Sequence, residues 1–343
     1  MIIDCHSHVC AAPELYAWKA LLTSSRGTHG YRPPKFTDEF VRDHRETKRN
    51  LDTLAKVGTD MQFLSPRPFQ QMHDEKPNQM VEAWAVGVHN YIAQQVKLFP
   101  DKFRGVCGMP QMANEPVSVA FPELERCVKE LGFVGTLIDT DPGEGDNSTP
   151  ILSDKYWYPL WEKMCELDIP GLIHSGGCRN GRESYSQHFI TEESLAILSL
   201  VDSHVFDDFP NLKIIVAHGG GSIPYQVGRW RAGAALHGGK PSDFDNGLKK
   251  LYFDTCIHNK KSLEMLIGLV GPERVLFGTE NPGSGSAMDP ETGRTYDDIK
   301  PQIEEIDFLT EADRALIFEG NARRLFTRLN LADQKGAKQA ARA

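Results

Sequence analysis

Eight short apolar runs punctuate this chain, and they limit its fold more than any other feature. They lie at 2–6, 61–65 (MQFLS), 103–109 (FRGVCGM), 133–138 (FVGTLI), 171–174 (GLIH), 212–218 (LKIIVAH), 251–255 (LYFDT) and 274–278 (RVLFG). Each is bounded by polar residues or by glycine and proline. Runs this short and this continuously apolar read as strands buried on both faces, the habit of parallel sheets covered by helices. Stretches with helical spacing stand between them at 38–57, 80–98, 122–131, 156–167, 194–206 and 311–318. Strand and helix alternating through eight strands predicts an α/β fold, a (β/α)8 barrel of the TIM type. An open doubly wound sheet is the competing architecture, but no GxGxxG turn follows the first run. No linker, repeat or low-complexity tract divides the 343 residues. Residues 1–332 are therefore expected to form one domain, with the small and polar segment 333–343 (DQKGAKQAARA) as a frayed tail. The stretch 23–37, rich in Gly, Pro and basic residues, reads as a long loop over the barrel mouth.

The ends of these runs carry the chemistry. The first leads into His6 and His8, spaced i and i+2, so that in a strand both rings point the same way. Taken alone, a His-x-His is more simply two unrelated loop histidines. The fifth run, however, ends in His174 and the sixth in His218, and the eighth leads into Glu280. Strand C-termini of a barrel converge on one face, where barrel active sites form. Neutral imidazoles together with one carboxylate suit Zn2+ or another first-row divalent ion, with Mn2+ the alternative. Such an ion activates water or polarises a carbonyl. Cys5 alternates to the face opposite His6 and reads as core packing.

Charge and cysteine usage narrow the partners. A formal net charge of −9 with no long basic run argues against nucleic acid or an anionic membrane as partner. No apolar stretch approaches the roughly 18 residues of a transmembrane helix. Seven cysteines, an odd number without a CxxC pair, and no signal peptide ahead of them predict reduced thiols in a cytoplasmic protein. Gly219–Gly221 lacks the Lys and Ser/Thr of a phosphate loop, and close backbone packing accounts better for these glycines.

The order His6-x-His8, then His174 and His218 after strands five and six, then an acid after strand eight, resembles the amidohydrolase superfamily. The opening Asp4–His8, the segment Val216-Ala217-His218-Gly219-Gly220-Gly221 and the stretch 320–326 are similar to its amidohydrolase-2 branch. That branch includes aminocarboxymuconate-semialdehyde decarboxylase, hydroxybenzoate decarboxylases and 4-oxalomesaconate hydratase. The likeness runs over essentially the whole chain. It is strongest to the hydratases, in SPR at 65–67, ELERCVKELGFV at 123–134, HGGGSIPY at 218–225, FDTC at 253–256 and EGNARR at 319–324. The resemblance implies a mononuclear metal site held by His6, His8, His174 and Glu280. Glutamate, where most of the superfamily has aspartate, is the hydratase-like choice. It further implies that His218 contacts substrate and moves protons, that Glu280 doubles as proton carrier, and that Arg67 holds a substrate carboxylate.

Two departures stand out: Phe189 occupies the place of a substrate-binding tyrosine, and the segment 281–286 (NPGSGS) differs from the hydratase pattern. Tyr185, His188, Arg179 and Tyr225 are further candidates for substrate contact, weighed against loop or helix-packing roles. Asp254 reads either as a hydrogen-bond partner of a ligand histidine or as a helix cap, and His73 by default as an exposed loop histidine. The resemblance leads to a metal-dependent lyase acting on a small anionic carboxylic acid, most like hydration of 4-oxalomesaconate to a 4-hydroxy tricarboxylic acid. Non-oxidative decarboxylation of a hydroxylated aromatic or heteroaromatic acid is the alternative. A metal-dependent hydrolase and a non-catalytic acid-binding barrel rank below both. A homodimer is expected as the commonest closed assembly.

Overall fold

The computed structural model describes residues 1–329; the expected tail at 333–343 lies outside them. All eight expected strands are present: β1 (Ile3–His8), β2 (Met61–Ser65), β3 (Phe103–Gly108), β4 (Gly135–Ile138), β5 (Gly171–Ile173), β6 (Ile214–Val216), β7 (Tyr252–Asp254) and β8 (Val275–Leu276). Each pairs in parallel with the next, in sequence order. The last strand returns to the first. Cys5 N donates to Phe277 O at 2.9 Å, Glu280 N donates to His6 O at 2.7 Å, and Ser7 bridges to Asn281 in parallel fashion. A (β/α)8 barrel results, as the alternation predicts.

Two apolar layers hold it. Outside the strands, helix Gln79–Leu98 buries Met80, Trp84, Val88, Tyr91 and Ile92, the three-to-four spacing of one helix face. Helix Lys260–Val270 does the same with Leu263, Leu266, Ile267 and Val270, and the Asn259 side chain caps it by accepting from Lys261 N and Ser262 N. Inside, Ile3, Cys5, Met61, Phe63, Val106, Leu137, Leu172, Ile215 and Leu276 fill the barrel. Leu325, Phe326 and Leu329 join this inner cluster, closing the barrel at the end away from the strand C-termini.

Several helices depart from expectation. The stretch 38–57 breaks at His44, whose backbone is extended; its Nδ1 accepts from Glu46 N and so caps a second helix, Arg45–Val57. The helix expected at 194–206 begins at Tyr185, where Ser184 and Gln187 form a capping box, and it ends at Val201. Helices Pro13–Ser25, Ile223–Leu236, Pro241–Leu248 and Lys260–Val270 were not foreseen. Pro13–Ser25 buries only Leu15 and Leu22, and Ile223–Leu236 only Ile223, so neither carries an apolar stripe wide enough to read. The former takes in the first residues of the expected loop at 23–37. All seven cysteines are free thiols. Among the described residues, no helix is long and apolar enough to cross a membrane.

Candidate metal centre

The site begins with an irregularity in β1. Asp4 pairs with Gln62 and Ser7 with Leu64, so β1 advances three residues while β2 advances two. One extra residue exchanges the two faces of a strand. Below the bulge Ile3 and Cys5 pack inside the barrel; above it the rings of His6 and His8 lie 5.3 Å apart and gather with His174 and His218. Strict alternation put Cys5 on the opposite face from His6. The bulge overturns that placement, although Cys5 remains a packing residue.

Hydrogen bonding decides what three of these imidazoles can do. The Ser65 hydroxyl donates its single proton to Ser7 O at 2.8 Å, so it accepts from His8 Nδ1 at 2.9 Å. His174 Nδ1 meets Ser175 O at 2.9 Å, and a carbonyl can only accept. His6 Nδ1 lies 2.5 Å from the Asp254 carboxylate, whose other oxygen accepts from Gly219 N and Cys256 N. Each ring therefore carries its proton on Nδ1 and turns a lone pair outward from Nε2. All three Nε2 atoms are buried and have no hydrogen-bond partner. One ligand atom from each of these histidines and one Glu280 oxygen lie within 4.8 Å of one another. Unpartnered imidazole nitrogens converging beside a carboxylate could hold a divalent cation, each ring fixed from behind through its Nδ1. Asp254 thus braces His6 instead of capping a helix.

Electrostatics separates the fourth histidine from these. Burial pushes His8 down to about 3, helped by the neighbouring His6 and His174, and burial lowers His174 as well. Both are neutral at physiological pH. For His218, burial acts downward too, but the Glu193 carboxylate 2.7 Å from Nδ1 and Glu280 near Nε2 outweigh it and hold the ring well above its usual value. Glu193 is fully buried, its second oxygen has no hydrogen-bond partner, and its carboxylate hydrogen-bonds only to His218 among the described residues. Glu280 completes the group, with Oε1 at 3.7 Å from His8 Nε2 and His174 Nε2 and 3.5 Å from His218 Nε2. Burial raises its carboxyl, but the three imidazoles pull it far below the ordinary range.

A cavity of about 470 Å³ opens over this centre, lined at its floor by His8, His218, Cys256 and Glu280. One wall is aromatic: Phe69 packs on Tyr185 at 5.6 Å, Tyr185 on Phe189 at 5.5 Å, and Phe189 lies parallel to His218 at 5.9 Å. Arg67, which donates to Pro282 O at 3.2 Å, is the one lysine or arginine in the lining among the described residues.

Three of the expected substrate contacts lie off the cavity. Arg179 is spent on Asp74 at 2.5 Å and on Glu75 and Glu144. His188 turns toward Glu183 and Asp141, and Tyr225 is 74% exposed on its helix. His73 is buried rather than exposed, with Nδ1 against Asp139 at 2.7 Å and Nε2 against Met109 O at 3.1 Å. Sequence reasoning missed Glu193 and Phe69. No local signal marks them, because an acid on a helix or a phenylalanine in a turn has many roles.

A family model described as amidohydrolase (Amidohydro_2) matches residues 3–328. The chain belongs to the amidohydrolase family. This amidohydrolase is 36% identical over 336 residues to the 2-keto-4-carboxy-3-hexenedioate hydratase of Sphingobium sp. (strain NBRC 103272 / SYK-6), covering 96% of this chain and 97% of that one. It is 31% identical over 262 residues to the gamma-resorcylate decarboxylase of Polaromonas sp. (strain JS666 / ATCC BAA-500), covering 69% of this chain and 74% of that one. Among solved structures, 4-oxalomesaconate hydratase from Rhodopseudomonas palustris matches with a TM-score of 0.87 at 32% identity, covering 99% of this chain and 100% of that one. A dihydroxybenzoic acid decarboxylase from Polaromonas sp. JS666, solved with bound manganese, shares the fold, with a TM-score of 0.71 at 24% identity and coverage of 97% and 98%. The amidohydrolase is thus an enzyme whose match to a hydratase is both longer and closer than its match to this decarboxylase.

Proposed function

We propose that this amidohydrolase-family enzyme is a metal-dependent hydro-lyase that adds water to the conjugated double bond of 4-oxalomesaconate, giving a 4-hydroxy tricarboxylic acid. The near-full-length identity to a hydratase carries the reading. The ion would be held by His6, His8, His174 and Glu280, and the nitrogen-rich donor set favours Zn2+ over Mn2+. When bound, it supplies Lewis acidity toward water or the substrate's oxo oxygen. Arg67 presents a planar fork of donors to a substrate carboxylate. His218, kept protonated by Glu193, faces the cavity from Nε2 and delivers a proton to the substrate, while Glu280 accepts one from the adding water. Phe189 stacks against His218, and Tyr185 packs on Phe189 in the cavity wall.

Decarboxylation of a hydroxylated aromatic acid is the second reading, and a specific observation favours it. Phe69, Tyr185 and Phe189 offer a ring-binding wall, and one guanidinium matches a monocarboxylate more simply than a tricarboxylate. The deciding experiment loads the purified enzyme with Zn2+ or Mn2+ and follows 4-oxalomesaconate by its conjugated absorbance. Loss of that absorbance, reduced at least about 100-fold by Glu280→Gln, supports the hydratase. A metal-loaded enzyme that leaves the compound untouched and releases CO2 from dihydroxybenzoates overturns it.

A further inference from the structure

A second group of metal-ligating side chains stands at the barrel mouth, apart from the centre described above. Asp141, His188 and Glu192 each place one ligand atom within 4.8 Å of the others. Asp141 follows β4, while His188 and Glu192 occupy successive turns of helix Tyr185–Val201 and so share one face of it. Asp141 and His188 are buried.

His188 repeats the arrangement seen at His6. Its Nδ1 lies 3.0 Å from the Glu183 carboxylate, which accepts the ring proton. Its Nε2 is then free, buried and without a hydrogen-bond partner, 3.4 Å from Asp141 Oδ2. A carboxylate behind an imidazole, holding the far nitrogen toward other acids, is the usual support of a metal-ligating histidine. The surroundings are short of cations. Among the described residues, no lysine or arginine lies within 4.0 Å of Asp141, Glu183 or Glu192, and nearby Arg179 is committed to Asp74, Glu75 and Glu144. Glu192 has Thr140 Oγ1 at 3.1 Å, and Asp141 Oδ2 has Gly145 N at 2.6 Å. Burial and the neighbouring Asp141 push the Glu192 carboxyl up to about 7, as expected of a carboxylate crowded against another with no cation between them.

We infer that Asp141, His188 and Glu192 form a second divalent-cation site, of one nitrogen and two oxygen donors, that ties the loop after β4 to helix Tyr185–Val201. That donor set suits a first-row ion such as Mn2+ or Zn2+. The tie matters for the cavity because the same helix presents Tyr185 and Phe189 to it. A cation on its outer face therefore anchors the aromatic wall without touching substrate.

The test is metal stoichiometry on the full chain. Metal-depleted protein is equilibrated with Mn2+, desalted and assayed by elemental analysis, with Mn2+ electron paramagnetic resonance giving the binding isotherm. Two equivalents are expected for the unaltered protein and one each for Glu192→Gln and Asp141→Asn. His8→Ala, which damages the first centre alone, should also retain one, and His8→Ala combined with Glu192→Gln none. One equivalent in the unaltered protein, or two retained by both Glu192→Gln and Asp141→Asn, overturns the proposal and leaves His188 as an imidazolium bridging Glu183 and Asp141. Should the Asp141 variant fail to fold by circular dichroism, the unaltered protein and His8→Ala still decide the matter.

Discussion

Four imidazoles crowd this centre, five of their six ring pairs 4.8–5.6 Å apart, and their partners divide their labour. A hydroxyl behind His8 and a carbonyl behind His174 leave those rings neutral, whereas a carboxylate with no other partner keeps His218 charged. Asp254, shared among His6 and two backbone N–H groups, orients its ring with its charge already spread. Two variants separate these roles. Asp254→Asn should weaken metal binding about 10- to 100-fold, read by competition with a chelating dye. Glu193→Gln should lower turnover about 100-fold while metal content stays at the level of the unaltered enzyme. Equal metal affinity in Asp254→Asn, or metal loss in Glu193→Gln, would show that the division drawn here is wrong.

Among the elements, the turn after β6 is the most demanding. His218, Gly219, Gly220 and Gly221 all have positive φ, from 50° to 85°. A Cβ on Gly219 would stand 2.3 Å from Ile257 Cδ1, and one on Gly221 would stand 2.7 Å from the Ile190 carbonyl oxygen. The Gly219 amide also donates to Asp254, so this turn joins the base of the metal centre to His218. Gly219→Ala should cost about 1–3 kcal/mol, measured by chemical denaturation, and should lower turnover more than metal content. An unchanged denaturation midpoint would refute the strain argument. His218 and Glu280 both sit at positive φ without being glycine, a concentration of backbone strain where the chemistry is expected.

For the molecule as a whole, stability rests on the two apolar layers and on a few buried ionic contacts between them. Glu123 is the clearest of these. Burial pushes its carboxyl up, but a two-pronged pair with Arg126 and the His89 Nδ1 proton at 2.6 Å pull it further down, to about 2. Gly108 N donates to the far nitrogen of His89, tying β3 into the same contact. A carboxylate depressed in the folded state stabilises it fully above its unfolded pKa of 4.5 and loses that contribution as pH falls toward about 2. Denaturation midpoints taken between pH about 5 and about 2.5 should therefore fall more steeply for the unaltered enzyme than for Glu123→Gln. Parallel slopes would show that Glu123 does not drive acid sensitivity.

Strand count, strand order and the convergence of His6, His8, His174, His218 and Glu280 were legible in the chain because they depend on local pattern. Continuous apolar runs betray strands buried on both faces, and a residue's place at a strand end fixes which rim of a barrel it occupies. The family resemblance added the roles. What the chain alone left open depends on contacts between distant segments. Nothing local tells that a bulge against β2 turns both histidines inward past Cys5. Nor does anything local tell that Glu193 rather than another acid reaches His218, or that Arg179 is drawn from the cavity by Asp74. Helices such as Ile223–Leu236, with one buried residue, also escaped notice, since amphipathic pattern appears only where a helix must cover a core. Local sequence decided where the chemistry would gather; packing between segments decided the charge, tautomer and neighbours of each group there.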